Sequence, residues 1–343
     1  MLCDESWFEA DDGAKLFLRR WRGHADAAGT PEGATPVAAL HIVHSAGEHA
    51  LRYEGLAGKL SPHGIEVWAA DMRGHGKTAS PEVNDAGRGG LLGHAGDSGG
   101  LGRVSADIRA LNGEIKKTSP GVPLFLLGHC WGALVVQDCI EAAPSGGEGL
   151  AGCILSGVSG PAAGTAALRI KAAFPLLGAI SFFKGNRFPC PIARAVVEGS
   201  LNKHFRPART PFDWLSRDET EVDAFISDPA CGFTCSVGFY SDLARARLRV
   251  HAPEALAKIK RDLPMYIFSG SADPAGDMGA GPTALVAAYK ALGMPDLEFV
   301  LYPGARHEPL NETNKDEVME NLLSWIMRQV KLGELGEASG QKE

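Results

Sequence analysis

Short apolar runs rich in β-branched residues alternate with helical spacing through the first 157 residues. Residues 15–22 (KLFLRRWR) alternate apolar and charged side chains like a half-exposed strand. Residues 37–44 (VAALHIVH) form the near-continuous apolar run of a strand buried on both faces. Residues 51–60 have helical spacing, Gly64 stops that helix, and 65–70 (IEVWAA) predicts the next strand. The alternation continues with a helix over 104–117, a strand over 123–127 (PLFLL), a helix over 130–143 and a strand over 149–156. It predicts an α/β fold, a mostly parallel central sheet flanked by helices on both faces.

The pattern changes after Gly157. From 158 to 255 strands vanish, and nine of the chain's fourteen Phe fall there. The segment carries +3 and the rest of the chain −10, so it differs in charge as well as in pattern. Strands resume at 265–269 (MYIFS) and 297–302 (LEFVLY), and a helix over 314–330 follows. This predicts a core formed by 1–157 and 256–332, an inserted, mainly helical cap at 158–255, and a disordered tail at 333–343. A chain of 343 residues can bury a full core, whether as two sequential domains or as one with an insertion.

The net charge of −7 excludes a general nucleic-acid binder. Seven Cys is an odd number, none forms C-x-x-C, and the start MLCDESWFEA carries acids where a secretion signal needs a basic patch and an apolar run. A cytoplasmic, thiol-reduced protein is expected. The best apolar stretch, 172–183, is too short to span a membrane, and its proline is expected to break it ahead of a helix over 176–183. Neither H-E-x-x-H nor a clustered Cys/His set occurs, so no metal or cofactor is expected. Eight of the seventeen residues at 86–102 are Gly, in no phosphate-binding pattern, which reads as a flexible surface loop. It contains Gly96-Asp97-Ser98-Gly99-Gly100, an imitation of a protease motif without the strand that a nucleophile turn requires.

The strongest chemical signal is Gly128-His129-Cys130-Trp131-Gly132, between a buried strand and a helix. A sharp strand–turn–helix bend would expose the Cys130 side chain at the carboxyl end of the sheet, above a helix N-terminus that favours negative charge. Asp273 and His307 follow, each just after a predicted strand, where α/β sheets gather reacting groups. Nucleophile, acid, histidine is the chain order of α/β-hydrolases, and it assigns Cys130 as nucleophile, His307 as base and Asp273 as its orienting acid. Asp277 is a stand-in for the acid, further from the strand end.

Four blocks carry a family resemblance: His44-Ser45-Ala46-Gly47-Glu48-His49 with Arg52-Tyr53; Asp71-Met72-Arg73-Gly74-His75-Gly76; the G-H-C-W-G turn; and DPAGDMGAG (273–281) with LYPGARHEPLNE (301–312). With these the chain resembles the monoacylglycerol lipase and lysophospholipase group of α/β-hydrolases, of the serine aminopeptidase S33 type. The resemblance implies an oxyanion hole from the backbone N–H groups of Ala46 and Trp131, and a structural rather than catalytic turn at Asp71–His75. Two departures stand out: Cys130 occupies the place of the group's Ser, and Ser45 that of a Gly. A thiolate is the stronger nucleophile but also the better leaving group, so an adduct can collapse backwards. G-x-C-x-G turns are similar to those of dienelactone hydrolases and polyhydroxyalkanoate synthases. An engineered Ser-to-Cys change would give the same sequence.

The expected partner is a small acyl substrate with an apolar chain, an ester or thioester of the monoacylglycerol or lysophospholipid kind. Ser45, Phe174, Phe182 and Phe183 are candidate substrate contacts. The three Phe, with Phe188, would line an acyl tunnel, rest on a membrane surface, or form the cap's own core. Trp131 packs beside the substrate or in the core. Hydrolysis to the free acid is the leading expectation. An acyltransferase using the same residues, and a ligand-binding protein on a hydrolase fold, are the rivals.

Overall fold

The apolar runs at 37–44, 65–70 and 123–127 become three adjacent strands: β3 (Ala38–Val43), β4 (Ile65–Asp71) and β5 (Leu124–His129). Every residue of the three is buried, as parallel strands covered on both faces must be. The computed structural model describes residues 1–23, 35–142, 147, 149–162 and 164–340. Around this centre lie β1 (Leu2–Glu9), β2 (Lys15–Arg22), β6 (Gly152–Ser156), β7 (Met265–Gly270) and β8 (Leu297–Tyr302). The eight strands run in the order β1-β2-β4-β3-β5-β6-β7-β8. β1 pairs antiparallel to β2 and β2 antiparallel to β4, while every pair from β4 to β8 is parallel.

The helices are α1 (Glu54–Leu60), α2 (Gly100–Thr118), α3 (Trp131–Glu141), α4 (Gly164–Lys184), α5 (Pro191–Val197), α6 (Glu219–Ser227), α7 (Val237–Arg249), α8 (Pro253–Leu256), α9 (Ala280–Ala291) and α10 (Lys315–Gly340). One apolar cluster joins Ile108 of α2, Leu134 and Ile140 of α3 and Leu285 of α9 to the strands. A second joins Leu56 and Leu60 of α1 to Leu322, Trp325 and Ile326 of α10. The sheet is thus covered on both sides, and its carboxyl ends share one edge.

Between β6 and β7 only helices occur among the described residues, apart from a single bridge between Pro189 and Ser236. Leu177, Ala193, Val237, Phe239 and Ala246 of this stretch belong to the same apolar cluster as α2 and α3. No helix of the described residues is long and apolar enough to cross a membrane.

Four local expectations change. β1 was not foreseen, because nearly all its side chains are exposed and its alternation marks no apolar face. The helix around Pro175 is continuous; the proline sits within α4 on an exposed turn. The last helix runs to Gly340 instead of giving way to a loose tail at 333, since extending a nucleated helix costs little even where 331–335 are exposed; 341–343 lie outside the described residues. The glycine cluster at 86–102 is tied down by hydrogen bonds. Gly74 N–H donates to Gly89 O (2.9 Å), Gly93 N–H to Gly74 O (2.8 Å) and Ser236 N–H to Gly93 O (2.8 Å). Ser98 is exposed at its far end.

Candidate active site

β5 ends at His129 and α3 begins at Trp131, so a single residue turns the chain. That residue, Cys130, has φ 53° and ψ −112°, a strained conformation for any side chain. The tightness explains the flanking glycines: a Cβ on Gly128 would meet the carbonyl of Gly132, and one on Gly132 the carbonyls of Val43 and His44. Cys130 N–H is anchored on Ser156 O of the neighbouring strand (2.9 Å). Its side chain is half-buried, whereas Cys139, Cys153, Cys190, Cys231 and Cys235 are buried and Cys3 is exposed; all seven are free thiols. Burial pushes the Cys139 thiol up to about 12 and raises Cys153, Cys231 and Cys235 as well.

Asp273 and His307 follow β7 and β8 and meet across the sheet edge. His307 Nδ1 lies 3.0 Å from both Asp273 oxygens, and Asp273 is fully buried. Burial opposes charge on both groups. On His307 it is overcome by the Asp273 carboxylate and then by the Cys130 sulfur, which together raise the imidazole well above its ordinary value. On Asp273 it is overcome by the imidazole, helped by the N–H groups of Ala275 and Gly276, so the carboxyl is held low. His307 Nε2 is buried and makes no well-formed hydrogen bond among the described residues, and the Cys130 thiol is the neighbour beside it that helps to raise the imidazole. Asp277 also has φ 53° and borders the cavity, but it is Asp273 that pairs with the imidazole.

The loop after β3 is fixed from within. Met72 N–H donates to His44 Nε2 (2.9 Å), which leaves the Nδ1 proton for Ser45 O (2.7 Å). Ser45 N–H donates to Glu48 Oε1 (2.6 Å), as does Tyr53 O–H (2.9 Å). Arg52 binds Glu48 (2.6 Å) and, through two nitrogens, Glu308 (2.8 and 2.7 Å), so one guanidinium joins this loop to the residue beside His307. Among the described residues Ala46 N–H is left without an acceptor, and Trp131 N–H, at the first helical position, has none within its helix. Both residues border the cavity that holds Cys130. The turn at 71–76 is structural in its bonding: the Asp71 carboxylate receives Ala50 N–H (2.9 Å), Lys77 N–H (2.8 Å) and Arg19 (3.2 Å).

The cavity measures about 590 Å³ and contains Ser45, Ala46, Cys130, Trp131 and His307 in its wall. Most of its apolar lining, including Phe212, Trp214, Leu215, Phe225, Phe233, Phe239, Tyr240 and Leu243, comes from between β6 and β7, and Trp131 and Leu134 of α3 add to it. Trp214 packs on His307 with ring centres 4.9 Å apart and accepts His307 N–H at its carbonyl (3.3 Å). The sequence reading missed these aromatics, because their spacing is irregular until α7 aligns Tyr240, Leu243 and Arg247 on one face. Trp131 proves to be both core and wall: it is buried, stacked on His75 at 5.3 Å, and borders the cavity.

Three candidate contacts lie elsewhere. Phe182 and Phe183 are 84% and 79% exposed, and Phe174 borders a separate cavity shared with residues 96–102. The cause is helical phase: α4 turns Ala173, Leu177 and Ile180 toward the core cluster, which leaves its C-terminal Phe pair outside. Among the described residues, the one group with metal-ligand chemistry is His49, Asp228 and Cys231, where His49 Nε2 already bonds Asp228 (2.8 Å).

Comparison with known proteins places this arrangement. Residues 34–314 match the family model of the serine aminopeptidases, S33. A Monkeypox virus monoglyceride lipase homolog is 27% identical over 303 residues, covering 86% of this chain and 91% of its own. The Homo sapiens monoglyceride lipase is 30% identical over 304 residues, covering 86% and 80%. A thermostable carboxyl esterase from Bacillus coagulans superposes with a TM-score of 0.82 at 25% identity, covering 96% of this chain and 99% of that one.

Proposed function

The chain belongs to the serine aminopeptidase S33 family of α/β-hydrolases, in its monoglyceride lipase-like group, and from that premise we propose that it hydrolyses carboxylic esters of the monoacylglycerol kind through a Cys130 thioester. In this reading the Cys130 thiol gives its proton to His307 Nε2 as sulfur attacks the ester carbonyl. The N–H groups of Ala46 and Trp131 hold the developing oxyanion. The imidazolium, steadied by Asp273, then protonates the leaving alcohol and a thioester remains. Water, deprotonated by the same imidazole, attacks the thioester and releases the free acid and the thiol. The 158–255 segment acts as a cap whose aromatics receive the acyl chain and keep bulk water from the thioester.

The observation that carries this reading is the pairing of a strained, half-buried thiol with a His–Asp couple in one cavity that also offers two unbonded N–H groups. The test is turnover of 4-nitrophenyl butyrate and monooleoylglycerol by Cys130→Ala. A loss in kcat of at least about a thousandfold, with the melting temperature retained, is the expected outcome. Retained turnover would contradict the role of Cys130.

A further inference from the structure

Arg247 lies on α7, seven residues after Tyr240 and four after Leu243, and the three face the cavity together. Its guanidinium makes no hydrogen bond or ion pair with any described residue, and its Nε is sealed from solvent without a partner. Burial pushes its pKa down, and the Cys130 sulfur is the acidic group that pushes back. The cavity's carboxylates do not serve it. Glu48 and Glu308 are engaged by Arg52, and Glu198 is bound by Arg194 (3.0 Å). Asp277 stands on the β7 side and is not among the groups acting on Arg247. Arg169 of α4, exposed at the same cavity, likewise pairs with no carboxylate among the described residues.

A half-buried guanidinium without a counter-ion is unfavourable, and the planar fork of its two terminal nitrogens suits an oxyanion better than the hydroxyls of a neutral glycerol ester. We propose that Arg247 recognises an anionic group on the substrate, so that the cavity beside Cys130 selects esters bearing a second oxyanion, a phosphate or a carboxylate. The proposal deepens the ester-hydrolase reading and rests on it for the word substrate. Binding tests it without turnover.

The experiment is quenching of Trp131 and Trp214 fluorescence by three non-hydrolysed ligands of equal chain length: decyl phosphate, N-decylsuccinamate and decanol. The unmodified protein should bind one of the two anions about tenfold or more tighter than decanol, and which one identifies the oxyanion. Arg247→Met should erase that preference to within about threefold, and Arg247→Lys should keep part of it. Equal binding of all three ligands by the unmodified protein, or an anion preference that survives Arg247→Met, would overturn the assignment. Anion binding that depends on Arg247 in a protein without ester turnover would sink the hydrolase reading and leave this one standing. Turnover together with indifference to anions would do the reverse.

Discussion

Glu48 holds no reacting atom, yet its carboxylate receives Ser45 N–H, Tyr53 O–H and Arg52, and so sets where the neighbouring Ala46 N–H points. Burial resists its charge, but Arg52, His129 and His44 pull its pKa down to about 2. Glu48→Gln leaves Arg52 bound to Glu308, so the guanidinium is not stranded, while the Ser45 anchor is weakened. The expected result is a kcat for 4-nitrophenyl butyrate about tenfold lower with KM nearly unchanged, because the proposed oxyanion hole acts on the transition state. A rise in KM at constant kcat would show that the loop serves binding instead. The candidate reacting residues were legible in the sequence because a turn flanked by two glycines and two strand-end positions leave marks in chain order. Glu48, Trp214 and Arg247 left none of comparable strength: their parts depend on which distant side chains they meet, and no local pattern records that.

Elements were legible where one face or both faces are apolar, and illegible where neither is. The central strands β3, β4 and β5 followed from continuous apolar runs, whereas the edge strand β1 has almost no buried side chain and is held by its ladder to β2. Proline was overread as a helix break, since Pro175 on an exposed face lets the carbonyl it would leave unbonded turn to water. A conflict within α3 is testable. Glu141, its last residue, is 3% exposed, and neither carboxyl oxygen has a partner among the described residues. Burial and the Asp138 charge push it up to about 9, against Arg249 and Lys258, and a helix C-terminus also disfavours a negative charge. A folded value above the unfolded 4.5 means stability is lost as pH rises from about 4.5 toward 9. Glu141→Gln should therefore stabilise by about 1–3 kcal/mol at pH 8 and by much less at pH 5, read as melting temperature. An equal gain at both values would exclude the buried charge as the cause.

Across the whole molecule, Cys130 precedes the helical stretch between β6 and β7 while Asp273 and His307 follow it, so the site exists only when both flanks share one sheet. That much was legible, because strand-end residues in an α/β sheet converge on one edge whatever their separation in sequence. The wall contributed by the stretch was not, since its aromatics are brought together by tertiary packing rather than by a repeat, Phe233, Phe239 and Tyr240 in the cluster of α2 and α3 and Phe212, Trp214 and Phe225 in a smaller cluster of their own. The surplus of +3 on that stretch acquires a place through Arg247 and Arg169 at the cavity, away from the −10 of the remaining chain. The proposed function turns on a covalent step at one sulfur. The most direct measurement is peptide mass spectrometry after acid quenching of a reaction with 4-nitrophenyl butyrate. The expected result is a butyryl group on the peptide carrying Cys130, removed by hydroxylamine at neutral pH and absent in His307→Ala. A butyryl group on Ser45, or steady turnover with Cys130 never acylated, would contradict the account.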